Sequence, residues 1–273
     1  MSNLLVVDFD SFFPNPLDAN EAGRDDILMY DWGHREAPFF IEVLWPGRAA
    51  AFERVGLPLP DLDGRELRFW HRFNFTPSAK LYYADSNACA VNPQITGRHR
   101  QWDSVWLYDA HHDSGYHAPA DWNQYERMQA LYDLCQAGRF SCEDWMVLYR
   151  AMGAKLHVRY PEWRASAMDI EPEPLVWDLD RQVDAGITNQ PDVAFDRVFV
   201  CRSGAWVPPW LDIDERFEQF VAAAPCKTKV DVQPGGMTRR HFDLAEVHEQ
   251  AVREADFLRR AAAGEFTAND TTV

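Results

Sequence analysis

One junction constrains this chain more than any other: Val105-Trp-Leu-Tyr-Asp-Ala-His-His-Asp-Ser-Gly-Tyr116. Residues 105–108 are mostly apolar, as in a short strand buried inside a parallel sheet. Asp109, His111 and Asp113 follow, alternating with Ala110 and His112. In an extended or gently curling backbone alternate side chains point the same way, so two carboxylates and an imidazole converge. Ser114-Gly115 then turns the chain away. The C-terminal edge of a strand is where open α/β sheets keep their ligands. Mixed Asp/His donors suit Mn²⁺, Fe²⁺ or Zn²⁺. A lone Asp-x-His reads as an exposed turn; three alternating ligand types straight after an apolar run read as a site.

A similar junction opens the chain. Leu4-Leu-Val-Val-Asp-Phe-Asp10 is an apolar strand ending in Asp8-x-Asp10, two carboxylates aimed at one point that a divalent cation would neutralise. An exposed Asp pair at a turn is the plainer alternative. Asp178-Leu-Asp180 is a rival for the same role. Residues 27–30 read as a short strand leading into Asp31-Trp-Gly-His34-Arg-Glu36. His34 and Glu36 there are candidates for ligand, base or substrate contact; singly, each is as well explained by structural hydrogen bonding.

Further strands are expected at 80–84, ending in Asp85-Ser-Asn87, and at 155–160 and 197–201. The last of these empties into Arg202-Ser-Gly-Ala-Trp206-Val-Pro-Pro-Trp210, a stiff aromatic loop suited to a pocket mouth. Arg202 would clamp a carboxylate or carbonyl, or tie down its own loop. Helical spacing runs through 39–55, broken by Pro46, and through 121–137, 145–152, 212–224 and 243–263. Residues 67–75 interleave aromatic and basic side chains and read as packing against the core. Strands alternating with helices, with polar clusters at the strand exits, predict a three-layer α/β fold: a mostly parallel sheet with helices on both faces. The expected organisation is an α/β domain over 1–212, a C-terminal helical appendage over 213–263 and a flexible tail over 264–273.

Composition narrows the partners. Lys+Arg 27 against Asp+Glu 43 gives a formal charge of −16, which argues against nucleic acid or anionic membrane as a partner. Five cysteines (Cys89, Cys135, Cys142, Cys201, Cys226) form no Cys-x-x-Cys pair, pointing to a reducing, cytoplasmic setting. No leader and no run of 18 apolar residues is evident.

Asp109-Ala-His-His-Asp113 resembles the Asp-Ala-His-x-Asp signature of the arginase/ureohydrolase superfamily, whose fold is shared with histone-deacetylase-like amidohydrolases. Asp8-Phe-Asp-Ser-Phe-Phe-Pro14 is similar to that superfamily's Asp-x-Asp stretch, in the form found in peptide arginases and their relatives. Cys142-Glu-Asp-Trp145 and Val200-Cys-Arg-Ser203, followed by Trp206 and Pro208-Pro209, are similar to further segments of those relatives. The matches touch most of residues 1–212, and the first is the specific one.

The resemblance implies a hydrolase that uses a pair of Mn²⁺ ions, with Zn²⁺ or Fe²⁺ as other choices. A metal-activated hydroxide would cleave a C–N bond in a small-molecule or peptidyl guanidino (arginine-type) or amide substrate. Asp8, Asp10, Asp109, His111 and Asp113 would be ligands, with His34 or Asn87 completing the set. His117 would shuttle a proton, Glu36 or Glu143 would hold a guanidinium, and Arg202, Ser203 and Trp206 would contact substrate. Two departures stand out. The superfamily's Asp-x-Asp follows its Asp-Ala-His-x-Asp strand, whereas here the better match precedes it; either the strand order is rearranged or Asp178/Asp180 serves. A ligand histidine expected before the central strand is absent, and the sequence there reads Asp85-Ser-Asn87. Two other readings remain open: a haloacid-dehalogenase-like phosphatase using Asp8 and Asp10, and a non-catalytic binding protein on the same fold.

Overall fold

Leu4-Leu-Val-Val7 offers no polar side chain to water, so a strand built from it must be covered on both faces. In the computed structural model, which describes residues 2–14, 36, 40–97, 101–116, 133, 140–167, 171 and 173–265, it is. β1 (Asn3–Asp8) is buried throughout and lies inside a seven-stranded parallel sheet. The other strands are β2 (Asn74–Ala84), β3 (Ser104–Tyr108), β4 (Lys155–Tyr160), β5 (Asp180–Val183), β6 (Ala194–Cys201) and β7 (Thr228–Asp231). Their order is β5-β4-β3-β1-β6-β2-β7.

Helices cover both faces. Leu5 and Val7 point into a core shared with α1 (Trp45–Arg54), α4 (Arg216–Ala223) and α5 (Leu244–Ala262), through Trp45, Phe217, Phe220, Val247 and Ala251. Leu4 and Val6 point the other way, toward Ile95 on α2 (Pro93–Thr96) and Met146, Val147 and Tyr149 on α3 (Met146–Ala151). The expected three-layer α/β architecture is what the chain adopts.

Several local expectations need correction. Pro46 does not break a helix; it sits in the first turn of α1, where a missing N–H is tolerated, after a π-turn over Phe40–Leu44. Residues 213–263 are more than a helical appendage. They supply β7 to the sheet and Phe217 and Phe220 to the core beneath β1. β5 and β7, sequences DRQV and TKVD, are edge strands whose polar side chains mask them in a hydrophobicity pattern. The strand expected at 27–30 and the helix at 121–137, apart from Asp133, lie outside the described residues. Among the described residues, no helix is long and apolar enough to cross a membrane.

Register places the site. Val7 on β1 pairs with Tyr108 on β3, so the next residue on each strand, Asp8 and Asp109, emerges beside its neighbour. On the other flank Asp8 pairs with Cys201, and Cys201 with Ala84, which brings the exits of β6 and β2 to the same edge. From β1 the chain builds outward in both directions. The crevice at the C-terminal ends of β1 and β3 is therefore a topological switch point.

Candidate metal centre

The loop after β3 is held from behind by buried hydrogen bonds. His112 N donates to Glu171 Oε1 at 3.0 Å, Ser114 N donates to His112 Nδ1 at 3.1 Å, and Arg164 Nε donates to the Ala110 carbonyl at 3.0 Å. Glu171 also accepts the phenols of Tyr116 (3.1 Å) and Tyr160 (2.5 Å). Asp113 adopts a left-handed backbone (φ 46°), as does Ser203 (φ 59°) on the loop after β6. Such conformations persist only where the surroundings over-determine them, as at sites.

Held in this way, Asp8, Asp10, Asp109 and Asp113 are all at most 5 % exposed. Ligand atoms of Asp10, Asp109 and His111 lie within 4.8 Å of one another. His111 Nδ1 is 3.4 Å from Asp10 Oδ2 and 3.4 Å from Asp109 Oδ1, and its backbone N–H donates to Asp109 Oδ1 at 2.8 Å. Asp8 Oδ1 accepts from Asp10 N at 3.1 Å. Asn87 Nδ2 reaches Asp8, Asp109 and Asp113. Trp145 Nε1 donates to Asp113 Oδ2 at 2.7 Å.

Four buried carboxylates with one imidazole among them are electrostatically costly. Burial, with the charges of Asp10 and Asp109 added, holds Asp8 well above the ordinary carboxylate range. Burial and Asp10 push Asp109 up to about 7, against the pull of His111. Burial and Asp109 raise Asp113. Burial alone would lower His111, but the hydrogen bonds and charges of Asp10 and Asp109 outweigh it and raise it. Asp10 Oδ1 is buried with no hydrogen-bond partner. A buried carboxylate oxygen left without a partner, in a cluster with more acids than the one imidazole can balance, is the condition a bound cation relieves. The donor set of two carboxylates and one imidazole fits Mn²⁺, Fe²⁺ or Zn²⁺.

The centre opens into a small chamber of about 20 Å³ lined by Asp8, Asn87, His111, Asp113, Tyr116 and Trp206, with Glu36, Cys142, Glu143 and Ser203 around it. That volume holds about one water molecule. Glu36 also lines a neighbouring groove of about 870 Å³ between the start of α1, α5 and residues 238–243. The residue is exposed and borders both spaces. Desolvation raises it to about 7, opposed by a hydrogen bond with Ser86 and helped by the charges of Asp85 and Glu143. The Trp206 ring lies 6.0 Å from that of His111, and its indole N–H is buried without a partner.

Asp8, Asp10, Asn87, Asp109, His111 and Asp113 thus meet, and Glu36, Glu143, Ser203 and Trp206 surround them. Arg202 does not serve as a free clamp. It is 1 % exposed and gives its guanidinium to Asp85 (2.5 and 2.6 Å) and Asp212 (3.2 Å), so it ties the β2 and β6 exits together. Asp178 and Asp180 do not join the site either. Asp178 pairs with Arg150 on the surface, while Asp180 begins β5 and bonds His157 and Arg159. His34 and His117 lie outside the described residues.

Tyr116 and Trp145 lie in stretches that the sequence pattern picks out, but that pattern assigns neither a role at the site. An indole at the head of a helix reads as core, and Trp145 is fully buried; its donation to Asp113 depends on tertiary placement. A hydrogen bond to a buried charge contributes about 1.5–3 kcal/mol. Trp145→Phe is therefore expected to lower stability by about that amount in a denaturant titration, with the slope unchanged. A shift within error would detach the indole from the centre.

Compared with known proteins, the chain matches no family model, no curated protein and no solved structure.

Proposed function

We propose that this protein is a metal-dependent hydrolase that cleaves a C–N bond in a guanidino or amide substrate at the Asp10–Asp109–His111 centre. The observation that carries the reading is the convergence of these three ligating side chains within 4.8 Å, buried, with Asp10 Oδ1 unpartnered. The resemblance of Asp109-Ala-His-His-Asp113 to the arginase/ureohydrolase signature supports it and supplies the reaction class. Asp10, Asp109 and His111 would hold a divalent cation of the Mn²⁺ type. When bound, such an ion supplies Lewis acidity, polarising the scissile centre and acidifying water.

The chain's own groups account for the rest. Asp8 and Asp113 line the inner wall and accept from the Asn87 amide. Glu36 and Glu143 set two carboxylates at the chamber, the arrangement that attracts a guanidinium, and the unpartnered indole N–H of Trp206 is free to donate to a substrate oxygen or nitrogen acceptor. Trp206 and Tyr116 bring aromatic surface that limits water at the reacting position. A phosphate ester fits this wall poorly: the described chamber lining carries no Lys or Arg and several carboxylates. The phosphatase reading is disfavoured on that ground.

The decisive assay is a panel of guanidino, ureido and N-acyl compounds with Mn²⁺ present. Turnover of guanidino compounds that disappears on chelation is expected. Failure to take up Mn²⁺, Fe²⁺ or Zn²⁺ would end the reading, and cation uptake without turnover would leave a binding protein.

Glu36 sets a further test. Because its carboxyl titrates at about 7, its charge is present above that pH and lost below it. kcat/KM for a cationic substrate should therefore rise as pH passes upward through 7. Glu36→Gln should remove that rise and increase KM by roughly 10–100-fold, the range expected for one charged hydrogen bond. A neutral amide substrate should be little affected by either change. Equal losses on both substrates would assign Glu36 a structural role instead.

A further inference from the structure

Asn87 opens a short 3₁₀ turn, Asn87–Val91, capped by Ser86, whose side chain accepts from Ala88 N at 3.1 Å. The turn drives the Asn87 amide into the centre, where the residue is 3 % exposed. Its Nδ2 lies 2.7 Å from Asp8 Oδ2, 2.8 Å from Asp113 Oδ2 and 3.1 Å from Asp109 Oδ2. An amide nitrogen carries two protons. Three carboxylate oxygens therefore share two donors, and the Asn87 Oδ1 on the same group is buried with no partner. Oxygens of three acids around one point are also the environment that a hard divalent cation takes.

Two adjacent positions thus compete for positive charge, and they share Asp109. One, between Asp10, Asp109 and His111, has ligand atoms gathered within 4.8 Å and an open, buried carboxylate oxygen. The other, between Asp8, Asp109 and Asp113, is filled by Nδ2 itself. Among the described residues, the three acids around Asn87 are not drawn together closely enough to form a second ligand cluster of the first kind. The amide nitrogen occupies the point between them.

We propose that the protein binds a single divalent cation, at Asp10–Asp109–His111, and that the Asn87 amide is a built-in substitute for a second. The inference rests on the metal reading above and fixes its stoichiometry. The Asn87 N–H₂ group satisfies Asp8 and Asp113 without a second ion and orients Asp109, which belongs to both positions. Removing the amide, or giving that position a ligand in its place, opens a second binding point.

The test is metal stoichiometry of the full chain by elemental mass spectrometry after equilibration with Mn²⁺ and desalting, together with Mn²⁺ electron paramagnetic resonance. Wild type should hold one equivalent and give the spectrum of an isolated ion. Asn87→His and Asn87→Asp should each hold two, with the broadened spectrum of a spin-coupled pair. Asn87→His replaces the amide with an imidazole donor; Asn87→Asp is nearly isosteric and guards against a folding failure of the first. His111→Ala should lose the single wild-type equivalent. Two equivalents in wild type would overturn the proposal, because the amide would then have turned its Oδ1 to ligate. So would one equivalent in both folded Asn87 variants, or retention of the ion by folded His111→Ala. No equivalent in wild type would instead remove the metal reading itself.

Discussion

Replacing His111 with alanine is expected to abolish stable cation uptake and to lower kcat/KM by about 10³-fold or more. Loss of a partner that only orients a ligand typically costs 10–100-fold in metal affinity or activity. His111 is a candidate ligand, the only nitrogen donor among the three side chains gathered there, so its loss belongs above that range. Asp10→Asn is expected to behave similarly, since it exchanges an unpartnered anionic oxygen for a neutral amide. The two variants differ in the metal-free protein. His111→Ala strips Asp10 and Asp109 of the imidazole 3.4 Å from each and should destabilise the apo fold. Asp10→Asn removes one of the crowded carboxylates and should leave the apo fold as stable or more so. Added Mn²⁺ should raise the melting temperature of wild type by mass action, about 2.7 kcal/mol at a hundredfold excess over Kd, and of neither variant. Thermal scans with and without chelator read both effects. Full activity in either variant would move the chemistry away from this centre.

The parts of this centre that could be read in the sequence are those whose local pattern has one solution. Residues 4–7 and 105–108 are apolar runs that only a sheet interior accommodates. The loop after β3 is bent rather than extended, with Asp113 left-handed, so Asp109 and His111 join Asp10 in the ligand cluster while Asp113 meets Asn87 and Trp145 instead. Choosing between Asp8/Asp10 and Asp178/Asp180 was beyond local pattern, because both are Asp-x-Asp after apolar residues. The pairing of Val7 with Tyr108 decides it, and strand register is a long-range property. The same register answers the question of chain order: the strand carrying Asp8 and Asp10 comes first in the chain yet lies beside β3.

Arg202 was illegible for a different reason. A guanidinium beside an aromatic loop fits a substrate clamp or an internal tie equally well, and its partner Asp85 is 117 residues away. Asn87 could be picked out as a departure from the resembled pattern, but not its role. The three acids that surround its Nδ2 come from the exits of two other strands.

Arg240→Ala is expected to produce the largest loss of stability among substitutions outside the centre. Asp212, 3 % exposed, accepts from Arg240 through both carboxylate oxygens and from Arg202. Arg240 spends its remaining donors on the carbonyls of Gly204, Val207 and Pro208, the loop that carries Trp206. Removing one partner of a buried pair leaves an uncompensated charge and costs about 3–5 kcal/mol. For a chain of this size each kcal/mol shifts Tm by roughly 2–4 °C, so a fall on the order of 10 °C is expected.

The pH dependence has a definite sign. Burial alone would raise Asp212, but hydrogen bonds from Arg240 and the charges of Arg240 and Arg202 outweigh it and hold the carboxyl below its ordinary value. A carboxyl depressed in the folded state stabilises the fold above its unfolded pKa, and that contribution is lost as pH falls through the folded value. Wild type should accordingly lose this stability in the acid range below about pH 4, whereas Arg240→Ala, having already lost the pair, should show a shallower acid limb. The loop connection adds a second consequence. With three carbonyls released, Trp206 loses its support beside His111, so substrate KM should rise even at temperatures where the variant is folded. Arg240→Lys separates the two contributions: it keeps the charge, so much of the acid limb should survive, but an ammonium cannot reproduce a planar fork shared between one carboxylate and three carbonyls. A variant with unaltered Tm and KM would mean that Asp212 is satisfied by Arg202 alone, and the loop's position would then have to come from Trp45, whose indole N–H donates to the Ala205 carbonyl at 3.0 Å.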